Sequence, residues 1–151
     1  MKTCFKRHLS RAVAVVAGAA LFTGCCACRK YQKETQRPLV GTEWQLIQLG
    51  GRNVQPEEGR FTVEFHADGL LSGVGSCNRL TGRYAVEGDR VLKVQPIGMT
   101  MMMCPSDMET EHAMAVALEE ADHYDMDGPT LLLLKDGELT AVFQAKPSTT
   151  K

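Results

Sequence analysis

The strongest constraint on the fold is a period of two that recurs from residue 39 onward. In "RFTVEFHADG", Phe61, Val63 and Phe65 alternate with Thr62, Glu64 and His66, and the run closes on Asp68-Gly69. "LLSGVGS" follows directly, so residues 60–76 read as a hairpin, because successive strand side chains point to opposite faces and Asp-Gly suits the turn. "TEWQLIQL" alternates Trp44 and Leu46, then slips by one to Ile47 and Leu49. "LTGRYAVEGDRVLKV" repeats the pattern, with Tyr84 and Val86, a turn at Glu87–Asp89, then Val91 and Val94. "TLLLLKDGELTAVFQA" forms a third hairpin about Asp136-Gly137. Three hairpin signals in one domain-sized stretch argue for an antiparallel sheet that curls.

One segment breaks the period. "SDMETEHAMAVALEEADHY" carries Ser106 and, three residues on, Glu109, a capping-box spacing. Asp107, Glu109 and Glu111 place negative charge where a helix dipole favours it. Met114, Ala117, Leu118 and Ala121 recur at i, i+3, i+4 and i+7, one face of a helix. The spacing predicts one amphipathic helix at about 106–121, packed on or into the sheet. The expected class is therefore mostly β (α+β): a small, cracked, antiparallel β-barrel-like sheet with that helix.

The N-terminal part does not read as a domain. Lys2, Lys6, Arg7 and Arg11 precede "AVAVVAGAALF", an apolar run of 11 residues. A membrane-spanning helix needs about 20, so residues 1–24 read as a secretory signal. "LFTGC" resembles a bacterial lipobox, with Gly24 before Cys25 and Thr23 before that; Phe22 stands where leucine is usual. The resemblance implies that Cys25 becomes the lipidated first residue of the mature chain. It places the protein in the cell envelope, by expectation the outer membrane. Cys25 and Cys28 also spell C-x-x-C, but a zinc knuckle needs two further ligands and no second close pair exists. Residues 25–38 are polar and without period, and are read as a flexible tether. Residues 39–146 form the domain and 147–151 a disordered tail.

From Leu39 the chain holds 9 basic and 17 acidic residues, a net of −8. That balance argues against nucleic acid, whose affinity comes largely from neutralising phosphates.

The middle of the chain, "GVGSCNRLTGRYAVEGDRVLKVQPIGMTMMMCPSDMETEH", resembles the META domain, the HslJ-like family of bacterial envelope and heat-inducible proteins. Gly75, Cys77, Asn78, Gly82 and Tyr84 carry the resemblance as G-x-C-N-x-x-x-G-x-Y, followed by Thr100, Met101 and Cys104. Glu109 or Glu111 then leads the helix, and Trp44 fits the opening strand. The resemblance implies a cracked β-barrel with one helix, an architecture similar to secretin pilot lipoproteins. It brings no established catalytic residue. It suggests that Cys77 and Cys104 lie close; an oxidising compartment permits a disulfide, and two reduced, buried thiols are the alternative.

The remaining chemistry is sparse. His66, His112 and His123 sit at no catalytic spacing, and Asp122, Asp125 and Asp127 do not fit a calcium loop. "MTMMMC" clusters Met99, Met101, Met102 and Met103; soft sulfur selects Cu(I), but the expected role is filling irregular core beside the helix. Asn78 is read as a turn cap or backbone partner, and Gly73, Gly75 and Gly82 as points of curvature. No metal or other cofactor is expected. The functional expectation is a lipid-anchored, non-enzymatic binding or accessory module in envelope maintenance or stress response. The alternative is a pilot-type lipoprotein holding an apolar peptide or lipid in the barrel, and a thiol- or metal-dependent enzyme comes third. An envelope protein or apolar ligand is the expected partner, and the sequence leaves the oligomeric state open.

Overall fold

The computed structural model describes residues 30–103 and 107–147. The signal segment, Cys25, Cys26, Cys28, Cys104, Ser106 and residues 148–151 lie outside them. The chain divides into two compact units, Met1–Thr35 and Gln36–Lys151. In the first, residues 30–35 are helical, where the sequence reads as a tether without period. Lys30 and Glu34 pair across one turn, with N and O 3.8 Å apart. The Thr35 hydroxyl donates to the Tyr31 carbonyl at 2.7 Å. Neither Gly nor Pro interrupts this stretch, and the i,i+4 pair adds at most about 0.5 kcal/mol to it.

The second unit is built on a ten-stranded sheet. Its strands are β1 (Glu43–Leu49), β2 (Arg52–Asn53), β3 (Thr62–Phe65), β4 (Leu70–Val74), β5 (Arg79–Glu87), β6 (Val91–Val94), β7 (Gly98–Met99), β8 (His123–Asp127), β9 (Thr130–Lys135) and β10 (Glu138–Ala145). A helix, Met108–Glu120, enters between β7 and β8. The paired strands run β1-β3-β4-β5-β6-β8-β9-β10, and β10 pairs again with β1, closing a ring. The strand-to-strand ladders are antiparallel. The ring stops short of a regular barrel because β6 meets β8 through a single residue pair, Val91 with His123.

The three expected hairpins are β3–β4, β5–β6 and β9–β10. At the last, Asp136 (φ 52°) and Gly137 (φ 81°) both take left-handed conformations. That is the twist a two-residue turn needs to match right-twisted strands. The slip in β1 is a bulge: the register with β10 shifts between Leu46 and Gln48. Trp44 and Leu46 stay buried and Ile47 turns outward.

The ring interior is filled. Trp44, Leu46, Val63, Phe65, Leu71, Leu131, Leu133 and Phe143 from the strands, with Met114 and Leu118 from the helix, have no exposed surface. Phe65 meets Tyr84 edge to face, with ring centroids 4.9 Å apart. The helix buries the expected stripe of Met114, Ala117 and Leu118, and Ala121 follows at its end. Its start differs from the expectation. Asp107 is the N-cap residue in a left-handed conformation, and its side chain makes no cap bond. The Ser106 half of the capping box lies outside the described residues. Glu111 turns into the protein, and that inward turn builds the site.

Candidate functional site

Glu111, Met114, Ala115 and Leu118 share one face at i, i+3, i+4 and i+7, and all four are buried. The apolar stripe, carried back one turn, thus ends on a carboxylate. Glu111 is 3% exposed and points at the loop joining β4 to β5. Three successive backbone amides converge on its Oε2: Ser76 at 2.8 Å, Cys77 at 3.3 Å and Asn78 at 3.1 Å. The Ser76 hydroxyl donates to the same oxygen at 3.1 Å. The Asn78 side-chain amide donates to Oε1 at 2.7 Å. Consecutive N–H groups aimed at one point form an anion nest, and here the anion belongs to the protein itself. Burial alone would raise the Glu111 carboxyl, but these donors outweigh it and hold the group below its ordinary range.

Gly75 makes the approach possible. A Cβ at that position would lie 2.3 Å from both Cγ and Oε2 of Glu111. Its amide donates to the Asn78 carbonyl at 2.8 Å, which closes the loop.

Asn78 is 2% exposed and is the hub. Besides Glu111, its side-chain amide donates to the Met102 carbonyl at 3.2 Å. Its Oδ1 accepts from the Met102 amide at 2.7 Å and the Thr100 hydroxyl at 2.8 Å. Thr100 in turn receives the Arg79 amide at 3.0 Å. One asparagine therefore ties the β4–β5 loop, the segment after β7 and the first turn of the helix together. The other motif residues brace the ring nearby. Trp44 Nε1 donates to the Leu39 carbonyl at 3.0 Å, and the Tyr84 hydroxyl to the His66 carbonyl at 2.7 Å. Gly82 leaves room for Ile97, 3.3 Å from where a Cβ would stand. Cys77 sits in the nest, its amide one of the three on Glu111; Cys104, its expected disulfide partner, lies outside the described residues. Among those residues no buried side-chain nitrogen or oxygen lacks a partner.

The methionine cluster departs from the sequence reading. Met101 is 97% and Met103 94% exposed; Met102 and Met108 are about half exposed, at 52% and 46%. They do not fill the core. The hub fixes the backbone at Met102 at the protein's rim, and the irregular segment 101–103 carries its side chains outward. Only Met99 packs against the core. These methionines line a groove of about 500 Å³ with His112. A second groove, of about 710 Å³, runs over the outer face of β3, β4, β5 and β7, and the two share Met99 and Thr100.

The histidines gain partners that spacing did not show. His66 Nε2 lies 2.6 Å from the Ser72 hydroxyl, and its Nδ1 lies 3.6 Å from Glu64. The order Glu-His-Ser is that of a nucleophile relay. Ser72, however, lies within a strand paired on both sides, so its neighbouring amides are engaged in ladders and cannot form an oxyanion hole. His123 pairs with Asp122 at 2.9 Å on the surface. Among the described residues, no group of three His, Cys, Asp or Glu side chains is placed to hold a metal.

No curated protein matches the chain. An NMR structure of a protein from Burkholderia xenovorans is 27% identical, with 72% of this chain and 83% of that one covered and a TM-score of 0.57. A crystal structure of a DUF4847 family protein from Bacteroides vulgatus is 20% identical and shares the fold, with a TM-score of 0.54 over 74% of this chain and 96% of that one. The META domain model matches residues 37–147. That span contains the ring, the helix and every member of the Asn78–Glu111 network, and the chain belongs to the META domain family.

Proposed function

We propose that this META domain is a non-enzymatic binding or accessory module of the cell envelope, held at the membrane through a lipid on Cys25. The observation that carries the binding reading is the pair of adjoining outer grooves, of about 710 and 500 Å³, which meet at Met99 and Thr100. The site's one buried carboxylate does not compete with that reading. Both its oxygens are occupied by donors that fold the loop, so Glu111 acts as a tie and not as a general acid or base. The filled interior shifts the pilot-type alternative outward: a peptide or lipid would lie in the outer grooves, because core side chains occupy the ring.

The test is a pull-down of the membrane-held protein from envelope extracts, with Cys25→Ala as the control. Fatty-acid label on wild type, its loss in the variant and recovery of a partner that depends on the grooves are the expected results. Label retained by Cys25→Ala would end the anchor assignment. The pairing of Cys77 with Cys104 belongs to the same proposal, since export would supply the oxidising compartment. Two alkylatable thiols in the native domain, read by non-reducing mass spectrometry, would rule it out.

A further inference from the structure

We infer that the methionine groove is a binding site for a soft monovalent cation, Cu(I) in the cell, with Ag(I) as its redox-stable surrogate. The inference rests on the domain being a binding module and names its ligand class; it does not depend on the anchor.

The donors come from two elements. Met99, Met101, Met102 and Met103 lie on β7 and the segment after it, while Met108 and His112 stand one turn apart at the start of the helix. Asn78 clamps these two walls together, bonding Met102 on one side and Glu111 on the other. The main chain beneath the sulfurs is thus fixed, while exposed and unbranched thioether arms can close on an ion. An apolar side chain that could be buried loses favourable free energy in water. Four such side chains exposed on one groove therefore need a cause that core packing does not supply.

The chemistry selects the ion. The donor set is thioether sulfur plus one imidazole, which suits Cu(I) and excludes Mg(II) and Ca(II). Among the described residues Glu111 is the only carboxylate lining the groove, and its oxygens are held by amides and a hydroxyl. Those donors are neutral, so its negative charge remains beneath the groove and attracts a cation. Thioethers carry no proton to displace, and a disulfide at Cys77 leaves them untouched.

The experiment is a titration with Ag(I) of the full chain, labelled with 13C at the methionine methyls, every sample having its free thiols first blocked with N-ethylmaleimide, because the thiols of Cys4, Cys25, Cys26 and Cys28 would otherwise take the ion first. The expected result is saturation at one ion per chain, with the Met101, Met103 and Met108 methyls moving and the buried Met114 methyl still. The triple change Met101→Leu, Met102→Leu and Met103→Leu keeps the groove apolar and removes three sulfurs; it should weaken Ag(I) binding by at least about tenfold. Cu(I) held by a chromophoric chelator should transfer to wild type and not to this variant. Unmoved methyls, undiminished affinity in the triple-leucine variant, or equally tight Zn(II) binding at the same methyls would each overturn the inference. A null titration with a partner still recovered in the pull-down would remove the ion site and leave the binding reading standing.

Discussion

Two regions a few ångströms apart treat their side chains in opposite ways. Around Glu111, every buried polar side-chain atom has a partner and Asn78 is 2% exposed. In the adjoining groove, Met101 and Met103 are almost wholly in water. Met102 belongs to both, since its main chain is bonded to Asn78 while its side chain is half exposed. The contrast separates two tasks. The hub sets where the main chain lies, and the groove holds side chains that contribute little to folding and remain available to a ligand.

The largest expected break in that contrast is Glu111→Ala. It leaves the amides of Ser76, Cys77 and Asn78 facing an empty space, and unsatisfied buried donors cost about 1–3 kcal/mol each. A loss of roughly 4 kcal/mol or more is expected in urea unfolding, and an unchanged midpoint would refute the hub. Gly75→Ala comes next. Its new methyl would overlap Glu111, for about 3 kcal/mol, and combining it with Glu111→Ala should cost far less than the sum of the two.

Acid should loosen the hub in a defined direction. The Glu111 carboxyl lies below its ordinary 4.5 in the folded state. Its stabilising contribution is therefore present above that value and is lost as pH falls through the folded-state value. Denaturant midpoints measured down the acid range should drop more steeply in wild type than in Glu111→Gln; parallel curves would contradict the assignment.

The smallest effect belongs to the groove. Changing Met101, Met102 and Met103 to leucine should move stability by no more than about 0.5 kcal/mol, as exposed positions do. A larger loss would mean that these side chains pack in solution. Peroxide offers a finer check, because exposed thioethers oxidise first: Met101 and Met103 should become sulfoxides well before Met114, by peptide mass analysis.

The hairpins were legible because each is local. Alternation identifies a face and Asp-Gly identifies a reversal, and neither needs distant residues. The helix was legible for the same reason, through its 114–117–118–121 stripe. β8 was missed, because "HYDMD" is acidic and its inward faces are only half buried. The start of the helix was less legible: the Ser106 side of the capping box lies outside the described residues, and Asp107 sits in a left-handed conformation without a side-chain cap. Glu109 and Glu111 were indistinguishable by motif alone. Carrying the buried face back one turn from Met114 would have selected Glu111.

The sequence by itself determined the strand period, the turns, the helix and the family motif, since these follow from neighbours within a few positions. Only the tertiary structure decided what the motif does. Glu111 reaches Ser76 across 35 positions, and Asn78 reaches Met102 across 24. No local pattern specifies which donors a buried carboxylate will find at that separation. The methionines show the same limit. Hydrophobicity favours burying them, but a main chain pinned at the rim by Asn78 leaves their side chains in water.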